Sequence, residues 1–313
     1  MKIGAVDVGG TNIFWGIFED GLLLEKKQIP AEAHRGKDVV IKKLKDVMEF
    51  FKEKGVSRAG LGMPGLVDHK RGVVEIPPNI EGWVKEDLKM ILQEDSGLEI
   101  YVLNDANAYV LGEWKFGAGR GKKDVVVLTL GTGVGGGIVS GGNLLLGKTH
   151  AAGEVGHIVI NPSGPLCRCG QRGCLEAYIG SKYFGERALY MKKKFPHSLL
   201  NNYTEITPHI IAECAKKGDR LSIFLWNEFG HILGVGLVTL IHIFDPEIII
   251  LGGGISKSFD LFINSTIQVL ESRVMNYKKR GVEVVPAQLG DEAPLYGAYY
   301  FALVKGNVED FSH

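Results

Sequence analysis

Through the first 29 residues the chain carries three short runs of strand-like apolar sequence, KIGAVDV, NIFWGIF and LLLEKKQI, broken by GGT and EDG. Such runs, rich in β-branched and aromatic residues and bounded by turn residues, read as strands, and EDG is a hairpin signal. They predict three antiparallel strands at the start of the chain. The period then changes. Val40, Leu44, Val47 and Phe51 recur at helical spacing with Lys and Glu between them, which predicts a helix, and RAGLGMPG restores a strand. A helix over about 84–93, the strand EIYVLN and a helix after Asp105 complete the first half.

The second half restarts the pattern. VVVLTLGTGVGGGIVSGGNLLLGK resembles GAVDVGGTNIFWGIFEDGLLLEKK, and placing Gly9 on Gly131 also places Leu22, Leu23 and Leu24 on Leu144, Leu145 and Leu146, an offset of 122 in both places. An internal repeat is the economical explanation, although the register slips locally between the two halves. Further on, HIIAECAKKG reads as a helix with Cys214 in the core, ILGVGLVTLIHIF (232–244) as a buried helix, and EIIIL as a strand running into LGGGIS, which opens another helix.

Length and charge narrow the picture. At 313 residues the chain exceeds most single cores, so two domains are expected. Lys plus Arg and Asp plus Glu stand at 36 each, which gives no electrostatic reason for a nucleic acid or an anionic membrane as partner. Runs such as MKKKF and YKKR are then solvated helix faces. The apolar stretch 232–244 is shorter than the roughly 18 residues a membrane span needs and carries His242. No charged and apolar leader opens the chain, so a cytoplasmic protein is expected.

Candidate phosphate chemistry appears in several places. Gly142 to Thr149, GNLLLGKT, fits the P-loop spacing G-x-x-x-x-G-K-[ST], but NLLL is poorly suited to converging amides on an anion, and the corresponding DGLLLEKK has no P-loop residues. Both copies read as the far strand of a hairpin, which makes Lys148 a coincidental match. GTGVGG (131–136) satisfies the dinucleotide spacing, yet Gly-rich sequence continues into another strand rather than a helix, which argues against a nicotinamide dehydrogenase. What remains is a pair of Gly-Thr hairpin loops, DVGGTN (7–12) and GTGVGGG (131–137). Either alone is also what an ordinary hairpin looks like; two in repeat-related positions suit phosphates held from both sides. Their glycines admit close backbone approach, Thr11 and Thr132 add hydroxyls, and Asp7 offers a carboxylate to phosphate-bound Mg2+. The LGGGIS loop suits the base and ribose of the same nucleotide.

At this point the chain resembles the ROK family of repressors and sugar kinases, most of all its glucokinase members. DVGGTN, GMPGLVD, PPNIEGW, LNDANA, TLGTGVGGG, AAGEVGH, CRCGQRGCLEAY and ILGGG occur in the family's order over nearly the full length. The resemblance implies an α/β, actin/hexokinase-like fold of duplicated ribonuclease-H-like domains around a central cleft, with a small zinc-binding loop. The expected division is a small N-terminal domain, 1–115 plus a C-terminal helix over about 295–313, and a large domain, 116–294, carrying the zinc-binding loop 157–174. The resemblance places ATP on Asp7, Gly9, Gly10, Thr11 and Asn12 from the first loop, Gly131, Thr132 and Gly133 from the second, and Gly253 and Gly254 from the third.

Three of the four cysteines sit within eight residues, and His157 with Cys167, Cys169 and Cys174 makes a Cys3His set suited to tetrahedral Zn2+ in a structural site, with Gly170 and Gly173 as its turns. Family resemblance adds that His157 also faces the sugar. It further matches Gly65, Asn79, Asn104, Glu154 and Glu176 to sugar-contact positions, although each singly also reads as an ordinary loop or cap residue. Asp105, at a strand-to-helix junction, is the expected catalytic base, accepting the proton of the attacking hydroxyl. The implied activity is ATP-dependent phosphorylation of glucose at the 6-hydroxyl, with Mg2+ accompanying ATP and a homodimer or higher homo-oligomer as the assembly. The alternatives are a kinase for fructose, allose, mannose or an N-acetylhexosamine and, less expected, a sugar-responsive regulator, since only six residues precede Asp7 and no basic bias exists.

Overall fold

The computed structural model describes residues 1–307. Its strands are β1 (Lys2–Val8), β2 (Asn12–Glu19), β3 (Leu22–Pro30), β4 (Arg58–Met63), β5 (Leu66–Asp68), β6 (Val73–Glu75), β7 (Lys85–Asp87), β8 (Glu99–Asn104), β9 (Val125–Leu130), β10 (Val134–Ser140), β11 (Asn143–Leu144), β12 (Ile248–Gly252) and β13 (Glu283–Pro286). The helices are α1 (Lys37–Glu53), α2 (Leu88–Ser96), α3 (Asp105–Lys115), α4 (Glu176–Ile179), α5 (Ser181–Lys192), α6 (Pro208–Lys216), α7 (Arg220–Phe244), α8 (Phe259–Arg273), α9 (Tyr277–Arg280) and α10 (Ala293–Leu303). The expected C-terminal helix is α10, ending at Leu303; residues 308–313 of that expectation lie outside the described residues.

Two five-stranded sheets have the same topology. One runs β3-β2-β1-β4-β8 and the other β11-β10-β9-β12-β13. In the first, β1, β2 and β3 are antiparallel and β1, β4 and β8 parallel. In the second, β10 and β11 are antiparallel and β9, β12 and β13 parallel. Leu22, which starts β3, and Leu144, which ends β11, stand 122 residues apart, so the repeat in the sequence is a repeat of the fold. A small sheet, β5-β6-β7, stands apart.

Two compact units result. One holds Met1–Lys123, Gly137–Ala152 and Gln288–His313, the other Asp124–Gly136 and Gly153–Ala287. In the first unit, α1 buries Val40, Leu44, Val47, Met48 and Phe51 in the same core as Val6, Val8 and Leu61 of the sheet. Helices α3 and α10 approach at backbone distance. A methyl group on Gly297 would lie 1.7 Å from the Ala108 carbonyl oxygen, and one on Gly112 2.0 Å from that of Ala293. Only glycine fits such a crossing.

The helix expected over about 84–93 is shifted. Lys85–Asp87 pairs as β7 with β6, and the Asp87 carboxylate accepts the amide of Met90 at 3.0 Å, so the helix cannot begin before Leu88. The LGGGIS loop first forms a 3-10 turn, Gly254–Ser258, and α8 follows it. Among the described residues α7 alone is long and apolar enough to cross a membrane by length and composition, being longer than the 232–244 stretch suggested. It buries Trp226, Phe229, Leu233, Leu237 and Leu240, half of its most apolar window, inside the second unit.

Candidate active site

In the first unit the candidate residues gather at the C-terminal ends of β1, β4 and β8, where open parallel sheets bind ligands. Asp7 pairs in register with Gly62 of β4, and Asn104 closes β8 immediately before α3. A methyl group built on Gly62 would lie 3.7 Å from Asp7 Oδ1 and 3.6 Å from the Asp105 Cα, which puts the two acidic residues side by side. Burial, and secondarily the charge of Asp105, pushes the Asp7 carboxyl up from 3.8 to about 7.

Asn104 caps α3: its Oδ1 accepts the Asn107 amide at 3.1 Å while its Nδ2 donates to the Gly65 carbonyl at 2.9 Å. The Asp105 Oδ1 accepts the adjacent Ala106 amide at 2.8 Å. The first Gly-Thr loop is a tight hairpin closed by Gly9 N to Asn12 O at 2.9 Å, with Gly10 and Thr11 exposed. Gly10 abuts Asn79, whose Cβ would lie 3.2 Å from a methyl group there. Asp7, Gly9, Gly10, Thr11 and Asn12 are thus brought near Asn79, while Gly65, Asn104 and Asp105 form an adjoining group in the same unit.

The second unit presents the second loop in the repeat-related place, with Gly131 N bonded to Gly133 O at 3.0 Å and Thr132 exposed. Here GTGVGG runs into β10 and no helix follows, unlike a Rossmann turn. Gly253 packs on the backbone of Leu130, so the third loop lies against the start of the second, and Gly254 beside it is open to solvent. Glu176 links this loop to the cysteines. Its Oε2 accepts the Val134 amide at 2.9 Å and its Oε1 accepts the Cys167 thiol at 3.6 Å.

His157, Cys167, Cys169 and Cys174 place one donor atom each within 4.8 Å of all the others. Cys169 Sγ and Cys174 Sγ are 3.6 Å apart, and Cys167 Sγ and His157 Nδ1 3.7 Å. Tetrahedral Zn2+ with Zn–S near 2.3 Å and Zn–N near 2.0 Å requires edges of roughly 3.5–3.8 Å, and a disulfide only about 2.05 Å, so the set fits the metal and not a disulfide. Burial pushes the Cys174 thiol up to about 12 and that of Cys167 upward, while the Gln171 amide holds Cys169 below its ordinary value. A bound cation would let all three ionise. Gly173, at φ 74°, turns the loop back against Asn161, whose carbonyl oxygen would be 1.6 Å from any Cβ. His157 Nε2 points away from the cluster, 4.0 Å from the exposed Glu154 carboxylate.

Sequence reasoning missed three supporting residues. Ser181 holds the second loop, its Oγ and N both donating to Gly131 O at 2.8 and 2.9 Å. Its signal was a serine opening a helix just after GCLEAYIG. The Tyr183 hydroxyl accepts the Arg168 amide at 3.1 Å and so pins the cysteine loop. Glu113 is fully buried and accepts the amides of Ala118, Gln288, Leu289 and Gly290, fixing the turn that leads into α10. A glutamate inside the apolar run YVLGEW was its only trace.

A duplicated α/β fold with paired Gly-Thr hairpins, an acidic pair at the strand ends and a Cys3His loop defines a class of sugar kinases and their relatives. The chain belongs to the ROK family, whose pattern matches residues 3–305. It is 35% identical over 304 residues to a glucokinase of Thermotoga maritima, covering 95% of this chain and 96% of that one. The crystal structure of a ROK family glucokinase from Streptomyces griseus in complex with glucose and AMPPNP superposes with a TM-score of 0.82 at 33% identity, covering 97% of this chain and all of that one. A xylose repressor of Caldicellulosiruptor bescii is 33% identical over 252 residues, 78% of this chain and 62% of the repressor.

Proposed function

We propose that the protein is an ATP-dependent hexose kinase that phosphorylates glucose at the 6-hydroxyl. The observation that carries this reading is Asp105, a carboxylate at the end of β8 beside Asp7, next to a residue already committed to capping the helix. In the proposed reaction the sugar hydroxyl oxygen attacks the γ-phosphorus of ATP, ADP leaves, and the hydroxyl proton passes to the Asp105 carboxylate. Gly65, Asn79, Asn104, Glu154, His157 and Glu176 are the proposed sugar contacts, whose hydrogen bonds replace water around the sugar hydroxyls. Asp7, Gly9, Gly10, Thr11, Asn12, Gly131, Thr132, Gly133, Gly253 and Gly254 hold the nucleotide, which arrives with Mg2+. Zn2+ on His157, Cys167, Cys169 and Cys174 fixes the imidazole so that its Nε2 is presented to the sugar.

The similarity to glucokinases over nearly the whole chain supports glucose. The match to a xylose repressor supports a second reading, sugar binding without transfer. A panel of glucose, fructose, mannose, allose and N-acetylhexosamines with MgATP in a coupled ADP assay tests both. Glucose is expected to give the highest kcat/KM. Sugar binding with no ADP formed from any hexose would leave the second reading standing.

A further inference from the structure

The turn that ends the coincidental P-loop match lines a cavity that the proposed reaction does not use. Within the first unit, residues of Asn143–His150 and the turn carrying His69 and Lys70 line an open pocket of about 400 Å3. Four of its polar lining residues are cationic or protonatable, His69, Lys70, Lys148 and His150, and the fifth is the neutral amide of Asn143. Leu144 and Leu146 add an apolar wall. Among the described residues no carboxylate lines it, and the nearest one named, that of Asp68, stands against His150.

The histidines are held in place. The buried His69 ring meets that of His150 edge to face, with centroids 4.7 Å apart at 87°, and Asp68 Oδ1 stands 3.8 Å from His150 Nε2. The other ring nitrogen of His150, Nδ1, is buried without a hydrogen-bond partner, a state that buried polar atoms seldom keep. The His150 backbone sits at φ 59°, in the left-handed region that a non-glycine residue rarely occupies unless the fold holds it there. Among the described residues only the Cys3His set brings metal-ligand atoms into one coordination shell, so a metal is not what this cavity fits.

We propose that this cavity binds a phosphate monoester of a small polyol or sugar. The ammonium group of Lys148 matches a phosphate in charge, and imidazole and amide N–H groups suit its oxygens. A cavity of this volume lies in the range that holds small organic ligands, and a bare phosphate would leave most of it empty. The leucine wall takes the carbon chain. This binding is separate from the proposed transfer of phosphate to a hexose and regulates or tethers rather than reacts.

The test is calorimetric titration of the full chain with glycerol 3-phosphate, inorganic phosphate and glycerol. Glycerol 3-phosphate is chosen because it is not a product of hexose phosphorylation, so a failure here is distinct from a failure of the kinase reading. Saturable binding of the ester is expected, at least threefold weaker for inorganic phosphate and absent for glycerol. Lys148→Glu, at an exposed position, should weaken the ester at least tenfold with an unchanged melting temperature, and His150→Gln should weaken it in the same direction. No saturable binding, inorganic phosphate bound as tightly as the ester, or unchanged affinity in Lys148→Glu would overturn the proposal.

Discussion

The Oδ1 of Asn104 accepts the amide hydrogen of Asn107 at 3.1 Å, so the residue that caps α3 is the one before Asp105. Asn104 therefore carries stability together with a proposed sugar contact, whereas Asp105 carries the proposed proton transfer. Asp105→Asn should fold and melt like the parent but lose at least about 10² in kcat with sugar affinity changed far less, since general-base assistance is worth roughly 10²–10⁴. Asn104→Ala should cost about 1 kcal/mol through the cap and more through the lost bond to Gly65. Steady-state kinetics and thermal unfolding on both variants decide it; a kcat for Asp105→Asn within tenfold of the parent would refute the assignment.

Purified protein should carry about one tightly held zinc ion per chain by elemental analysis. Cys169→Ser should lose the metal and, with it, sugar phosphorylation, because the same loop carries Glu176 to the Val134 amide and His157 to its place. Zinc-free protein with full activity would sink the assignment.

Removing the Thr132 hydroxyl should raise the apparent KM for ATP at least about tenfold, the worth of one hydrogen bond to an anion. Lys148→Ala should leave that KM within twofold, since β11 ends at Leu144 and no helix opens at Lys148, as a P-loop requires, the next element being the 3-10 turn Val155–His157. A Lys148 variant that folds but fails to bind ATP would reinstate the P-loop.

Asp219 caps α7 and accepts four hydrogen bonds, from Ser198 Oγ, Leu199 N, Ser222 N and Ser222 Oγ, at 2.7–2.9 Å. Burial alone would raise its carboxyl, but the Ser222 hydroxyl and the other donors outweigh that and hold it below 3.8. Its contribution is complete above pH 3.8 and lost as pH falls through the depressed native value. Asp219→Ala should cost about 2–3 kcal/mol at pH 7, and denaturation curves should show the gap to the parent narrowing below pH 3.8. A gap independent of pH would show that the charge is not what matters.

By itself the sequence determined the three opening strands, the helical face of Val40, Leu44, Val47 and Phe51, the repeat at offset 122, and the four members of the Cys3His set. Each of these is written in residues close together, through the period of side chains along a strand or helix, the chemistry of a turn, or four ligands within 18 residues of chain. The tertiary structure decided what depends on partners far apart. It fixed the start of α2, because β7 pairs with β6; the double role of Asn104, which caps α3 through the Asn107 amide and reaches Gly65, 39 residues away; and the bond from Glu176 to Val134, 42 residues away. It alone revealed Glu113 holding amides 175–177 residues further on, and His69 set against His150. A hydrogen bond is satisfied by whichever group packing delivers, and packing is settled over the whole unit, so no local pattern announces the partner.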